Sequence, residues 1–315
     1  MQTPASQHVT RIETAIRSGL AARSSVAASW ARSATLYQLD PAASASGVAN
    51  RLTAPELAQA RERMGALLPT AAPHLDRLFQ TVGGLGACIV LADVEGVALD
   101  RRGHAGDDGD FEAAGLWTGT AWSEARAGTN GIGTCLAEGR AVTIHRDQHF
   151  LARNIGLSCS SAPVFGPEGD LMAVIDVSTA RADLPEAVSG LIGVTVGEAA
   201  RRVEADLFGQ SFHRARVVLV PGTDRGIGAL LAVDAQDLVI GATRAARQHL
   251  NLSGNLLLSP RPLADVLGQG ADDSFADAER AVIARALART GGNVSAAARA
   301  LGLSRATLHR KIDRR

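Results

Sequence analysis

Residues 293–312 read NVSAAARALGLSRATLHRKI, and the spacing of small and apolar residues within them predicts two short helices joined by a tight turn. Apolar side chains fall at Ala297, Leu301, Leu303, Leu308 and Ile312, and Ala298 is small where two helices would cross closely. Gly302 stands where the backbone must turn through a left-handed conformation, which glycine adopts at little cost. Ser304 suits the N-cap of the second helix, where a hydroxyl accepts an unpaired N–H of the first turn. A helix, a turn and a helix form the unit that lays its second helix in the DNA major groove. That second helix exposes Arg305, Thr307, His309, Arg310 and Lys311, with Arg314 and Arg315 just behind.

Charge points the same way. From Arg289 to the C-terminus there are seven Arg or Lys against one acid, Asp313, a net of +6. The whole chain carries 32 basic and 32 acidic residues, so residues 1–288 carry −6. A neutral chain with its excess positive charge in the last turns has a localised phosphate-binding face. Arg305 lies in the first turn of the second helix, and its guanidinium matches guanine O6 and N7 bidentately, which makes it the best candidate base reader. Upstream, Ser274-Phe275-Ala276-Asp277 reads as a capping box. Phe275, Ala278, Val282, Ile283, Ala286 and Leu287 make an apolar stripe at helical spacing.

At 315 residues the chain should hold two or three domains. It shows no long apolar run and no secretory pattern, so a cytoplasmic protein without membrane contact is expected. Cys88, Cys135 and Cys159 have no CxxC spacing, which argues against a zinc ribbon and a disulfide scaffold. Lys311 is the sole lysine. A phosphate loop of the GxxxxGK[ST] type needs a lysine, so residues 1–310 can hold none, and Schiff-base chemistry is excluded there too. There is no HExxH and no GxSxG. No cofactor and no metal is expected, and no enzyme activity.

The middle of the chain reads as an α/β domain. Gly86–Asp93 and Val97–Arg101 form a hairpin around Glu95-Gly96. Gly128-Thr-Asn-Gly-Ile-Gly-Thr134 reads as a glycine loop leading into a short helix, Cys135–Glu138, which Gly139 stops. Strands follow at Ala141–His145, Leu157–Phe165 and Leu171–Ser178, the last two joined by the turn Gly166–Gly169. Leu184–Phe208 reads as a long helix with Val188, Leu191, Ile192, Thr195, Val196, Ala199, Val203 and Leu207 on one face. The glycine loop has the chemistry to cradle a phosphate, but it lacks both the dinucleotide-binding spacing and a lysine, and a structural turn is the competing reading. Before this domain the first ~80 residues read as helical, broken at Pro41–Gly47, with a helix from Pro55 to about Leu68.

The C-terminal unit resembles the Fis-type helix-turn-helix, through Gly292-Asn293, Ala297-Ala298, Leu301 to Arg305 and Thr307-Leu308. That resemblance implies Ser304, Arg305 and Arg310 near bases, Thr307 and Lys311 at phosphates, and a homodimer held by the first helix. His309 departs from the usual residue there. Residues 10–208 resemble the GAF-type sensory half of the acetoin-catabolism regulator (AcoR) family. The match lies in Ser29-Trp30-Ala-Arg-Ser33, Leu39-Asp-Pro41, Leu116-Trp117, Trp122-Ser-Glu124, Gly128–Thr134, His145–Phe150, Ser158–Pro163, Asp176-Val-Ser178 and Arg181-Ala-Asp183. Leu230–Arg244 and the helix after it look like the core of a short, degenerate PAS module.

The expected architecture is therefore α+β and multidomain. It comprises a helical N-terminal segment (1–80), a GAF-like α/β sensor (81–208), a PAS-like module (209–258), a linker (259–273) and an all-α helix-turn-helix (274–315). Relatives in the AcoR family carry an ATPase domain between sensor and helix-turn-helix, and act on RNA polymerase; here the gap is too short for one. The reading that remains is a ligand-responsive, DNA-binding transcription regulator with an unknown small-molecule effector. Trp117, Trp122, Cys135, His145, His149 and Cys159 are the candidate effector contacts, each also explicable as packing. The alternative is a thiol redox sensor or cysteine-based reductase in the GAF-like domain. Cys135 would be its nucleophile, placed in the first turn of a helix where the dipole favours a thiolate. A purely architectural DNA-binding protein would need no α/β domain.

Overall fold

The structure is a computed structural model that describes residues 3–43, 51–222, 228–268 and 274–312. Part of the Pro41–Gly47 break, part of the 259–273 linker, the Asp277 side chain of the capping box, and Asp313, Arg314 and Arg315 lie outside the described residues. The chain divides into two compact units, Met1–Arg261 and Pro262–Arg315.

The first unit is built on a five-stranded antiparallel sheet. Its strands are β1 (Ala87–Asp93), β2 (Ala98–Arg102), β3 (Val142–His145), β4 (Ser158–Phe165) and β5 (Leu171–Thr179), ordered β2-β1-β5-β4-β3. Every residue of β1 is buried because both faces of the sheet are covered. Alternation sorts its side chains: Ile89 and Leu91 face one layer, Cys88 and Val90 the other. On the first face lie two long helices, here α4 (Leu67–Val82) and α8 (Glu186–Ser211), which bring Leu75, Leu78, Ile192, Val196 and Val203 onto Ile175 and Val177. Each such side chain contributes about 1.5–3 kcal/mol on full burial. On the second face lie α5 (Asp108–Ala113), α6 (Glu124–Ala127) and α7 (Gly131–Glu138).

Ahead of the sheet come α1 (Pro4–Arg17), α2 (Ser25–Ala31) and α3 (Ala54–Arg63). Ile12, Ala15 and Trp30 make a small core with Phe150 and Leu151, so the N-terminal helices pack on the sensor rather than apart from it. The sequence predicts one helix from Pro55 to about Leu68; the chain instead ends α3 at Arg63, turns at Gly65 with φ +51°, and starts α4. The expected 80/81 boundary falls inside α4, whose apolar face belongs to the sheet's own core.

After α8 a second antiparallel sheet contains β6 (Arg216–Leu219), β7 (Leu230–Val233) and β8 (Leu238–Ala242) in that order, followed by α9 (Arg244–His249). The β7–β8 hairpin and α9 match the sequence expectation; β6 was hidden in it. Leu191, assigned to the buried stripe of α8, is 69% exposed. It sits one residue before the turn that Ile192 buries.

The second unit holds α10 (Leu263–Val266), within the expected linker, and then α11 (Phe275–Arg289), α12 (Val294–Ala300) and α13 (Arg305–Ile312). Ile283, Ala286, Ala297, Ala298 and Leu308 form its core. The stripe expected on α11 splits. Ile283, Ala286 and Leu287 turn into the core, whereas Phe275, 97% exposed, Ala278 and Val282 face solvent.

Candidate functional site: a capped helix pair and a sealed sensor core

Local chemistry builds the helix pair. Asn293 caps α12 by accepting the Ala296 N–H at 3.1 Å, and Ser304 Oγ accepts the Thr307 N–H at 3.1 Å to start α13. Between them Gly302 has φ +66°, the left-handed turn that any side chain would strain. Leu308 is fully buried, which fixes which side of α13 faces in. Ser304, Arg305, His309 and Arg310 are consequently exposed, and Thr307 and Lys311 are half-buried. Lys311 forms an ion pair with Glu279 of α11, so its ammonium is already engaged with the first helix. The arrangement offers Arg305 and Arg310 as exposed cations without an ion-pair partner among the described residues. Such donors suit a base edge or a phosphate.

The six residues singled out in the sensor do not line one cavity. Trp117 is half-buried beneath the Arg101 guanidinium, 4.2 Å from ring centroid to Cζ, and borders a recess of about 270 Å3 with Arg51 and Glu112. Trp122 is buried and donates its indole N–H to the Gly115 carbonyl at 3.0 Å. His145 ends β3 and pairs through Nδ1 with Ser158 Oγ at 2.8 Å. Cys135, Cys159 and His149 are buried on the inner face of the sheet.

Around the last three lies a polar core that sequence reasoning left as part of a motif. Asp176, in the middle of β5, is 1% exposed, and Ser161 and Ser178 donate hydroxyls to its two carboxylate oxygens. Burial pushes its carboxyl up to about 6 even so. His149 donates Nδ1–H to the Arg146 carbonyl at 2.9 Å, which leaves Nε2 to face Cys159 Sγ at 3.4 Å. Burial lowers this imidazole to about 4, so it is neutral. The signal available in the sequence was a single acid inside an otherwise apolar strand, LMAVIDVST.

The glycine loop caps this core. Its helix begins at Gly131, four residues before the predicted start, with Asn130 accepting the Gly133 N–H at 2.9 Å. A Cβ on Gly131 would stand 2.4 Å from Ser161 Oγ and 2.5 Å from Asp176 Oδ1; one on Gly133 would stand 2.5 Å from the Trp122 carbonyl oxygen. These glycines let the helix end lie flat on the sheet. The N-terminus of α7 is thereby sealed against protein, and an outside phosphate has no approach.

Cys135 sits in the second turn of that helix and not the first, fully buried. Burial pushes the Cys88 thiol up to about 11 and raises the thiols of Cys135 and Cys159 as well. None is held as a thiolate nucleophile in this arrangement, so the geometry lends the redox alternative no support. Among the described residues no group of three His, Cys, Asp or Glu is placed to hold a metal ion, and no helix is long and apolar enough to cross a membrane.

The motif Ser29-Trp-Ala-Arg-Ser33 ties the N-terminal helices to this core. Arg32 holds the buried Glu124 with two bonds of 2.9 Å and reaches Glu138 at 3.1 Å. Ser29 Oγ donates to Glu124 Oε1 at 2.5 Å, and Trp30 Nε1 donates to the Gln148 carbonyl at 2.8 Å.

Comparison with known proteins agrees with this organisation. Residues 274–314 match the Fis family of bacterial regulatory proteins, and residues 7–204 match the family described as MimR, N-terminal domain. The acetoin catabolism regulatory protein of Cupriavidus necator is 34% identical over 251 residues, which are 78% of this chain and 37% of that one. The acetoin dehydrogenase operon transcriptional activator AcoR of Bacillus subtilis is 31% identical over 47% of this chain and 24% of its own length. The propane 2-monooxygenase operon transcriptional activator MimR of Mycolicibacterium smegmatis is 33% identical over 36% of this chain and 20% of its own. This chain thus spans little more than a third, at most, of the length of these relatives. The fold of the first unit is shared with the E. coli DhaR(N)–DhaL complex structure (TM-score 0.53, 18% identity, 76% of this chain and 80% of that one). Only residues 205–273 separate the two family matches. With residues 7–204 matching that family model and a Fis-family segment at residues 274–314, the chain belongs to the MimR N-terminal-domain family of AcoR-like proteins.

Proposed function

We propose that the chain is a sequence-specific DNA-binding transcriptional regulator that acts without an ATPase of its own. In this reading a GAF-like domain senses a small molecule, the sheet after α8 is a PAS-like module, and a homodimer places two α13 helices on a two-fold symmetric operator. The observation that carries it is the capped, glycine-turned helix pair with Arg305 and Arg310 exposed on its second helix. The names of the curated relatives, regulators and activators of operons, support it. Arg305 and Ser304 then address bases together with Arg310, while Thr307 lies at a phosphate. The exposed Phe275 and Val282 on α11 supply an apolar surface for the second protomer. RNA polymerase is the partner through which such binding alters transcription.

The test is selection of genomic fragments by the full chain. The expected result is a discrete set of sites with two half-sites about one helical turn, roughly 10 base pairs, apart. Their affinity should fall linearly with the logarithm of salt concentration. Retention of bulk DNA with no enriched site, or no retention at low ionic strength, overturns the reading.

A further inference from the structure

Where the C-terminal end of α8 meets the second sheet, the surface opens into a cleft of about 600 Å3 walled by Pro167, Phe212, Ile240 and Leu257. A second cavity of about 220 Å3 shares those four walls. The larger one alone has the size of a small-molecule site.

The floor is the Phe212 ring. It lies tilted on Phe208 with centroids 4.8 Å apart, and its face is pressed on Gly241, where a Cβ would stand 2.3 Å from Cζ. The backbone thus fixes the ring like a plate, and the rest of it borders both cavities. Leu257, 53% exposed, completes an apolar wall that is left partly in water.

The polar groups at the rim are mostly spent. Asp234 Oδ1 accepts the N–H groups of Gln236 and Leu238, each at 2.9 Å. Arg247 donates to the carbonyls of Ala242 at 3.0 Å and Gly254 at 2.9 Å. His213 Nδ1 pairs with the Gln210 carbonyl at 3.2 Å. Across the two cavities the carboxylates of Glu168 and Asp234 are matched by the guanidinium groups of Arg214 and Arg247, two charges of each sign, which gives little net pull on an ionic ligand. We propose that the effector site is this cleft, between the β4–β5 turn of the GAF-like domain and the sheet after α8, and not the closed core of the GAF-like domain, and that it takes a neutral, flat, apolar ring, which stacks on Phe212 and closes Leu257 over its edge. The inference rests on the reading of the chain as an effector-responsive regulator. Its position fits that reading: the wall residue Leu257 lies four residues before Arg261, the last of the first unit.

The probe is 1-naphthol, titrated by fluorescence into the full chain. Saturation at one equivalent per chain is expected. Leu257→Asp puts a carboxylate in the apolar wall and should weaken binding by about tenfold or more; because Leu257 is exposed, the melting temperature should hold. Phe212→Leu should weaken it too, with a thermal melt reporting its folding. Leu191→Asp, at an exposed site elsewhere on α8, should bind as the unaltered chain does. No saturable binding, or equal binding by Leu257→Asp and the unaltered chain, overturns the proposal. DNA binding by ligand-free Leu257→Asp is measured alongside. If it persists while naphthol binding fails in the unaltered chain, the cleft is wrong and the regulator reading stands; if the unaltered chain binds no DNA, the regulator reading fails by itself.

Discussion

Asp176 and His149 are buried within one polar core and titrate in opposing senses. The Asp176 carboxyl is raised to about 6 from an ordinary value near 3.8, so between pH 4 and 6 the native state holds a proton that the unfolded chain has released. Stability contributed by this group therefore falls as pH rises through that window and stays lost above it. The His149 imidazole is lowered to about 4 from 6.5, so its contribution is lost as pH falls through the same range. Asp176→Asn should leave only the second trend. Thermal melts from pH 4 to 7 should show the variant gaining on the unaltered chain as pH rises towards 6; parallel curves would refute this. Gly131→Ala forces a methyl against Ser161, Asp176 and Cys159 and should cost about 1–3 kcal/mol by overpacking, read from denaturant unfolding. Arg305→Ala touches nothing in the core. Its expected effect is a loss of about 1–3 kcal/mol in operator affinity with relaxed preference at one base pair. Unchanged affinity and specificity remove Arg305 as a reader.

Among the elements, α2 is attached by the Arg32–Glu124 pair. Glu124 is 3% exposed, so Arg32→Ala strands a buried carboxylate, and about 3 kcal/mol of destabilisation is expected, at the low end for a buried pair because Arg32 is a third exposed. Glu124→Gln added to Arg32→Ala should restore part of that loss, which chemical denaturation of both variants measures. Elements decided by neighbouring residues were legible in the sequence. Gly302, Ser304 and the Gly166–Gly169 turn lie where turn and cap chemistry put them, and the strands followed their apolar runs within a residue or two. Elements decided by distant contacts were not. Gly131 and Gly133 are poor helix formers, so the start of α7 was misplaced; what makes them helical is the sheet beneath them. Distant contacts also decide where the sensor candidates stand. Tryptophans, histidines and cysteines attract notice by type, and burial places Trp122, Cys135, Cys159 and His149 in the core, while Asp176 and Glu124, quoted only within motifs, gained a role once their partners on other elements were visible.

At the scale of the molecule, positive charge gathers at the C-terminal end of the second unit. Residues 289–315 carry a net +6 and residues 262–288 a net −3, so the unit Pro262–Arg315 carries +3 against −3 in Met1–Arg261. Raising salt should therefore weaken DNA binding steeply without changing the melting temperature of the first unit, a contrast that anisotropy and calorimetry on the same samples would reveal. The helix-turn-helix spacing of residues 293–312 announced a separate C-terminal unit. The attachment of residues 209–258 to the first unit was not legible: β6, the apolar run Arg216-Val-Val-Leu219, has the residues of a strand, but it is mostly exposed and its partner strand comes later in the chain. Holding the two sheets of that unit is α8. At 26 residues it is about 39 Å long. Its middle is clamped on β3, β4 and β5, and its last turns carry Phe208 and Phe212 to the second sheet. A rod so held behaves as a lever with its fulcrum at the clamp, and a pivot of 5° about its middle sweeps each tip by about 1.7 Å. A shift no larger than a methyl group's breadth at Phe212 would thus be geared into a displacement of Leu191 and Val194, the two bare apolar side chains near the opposite tip.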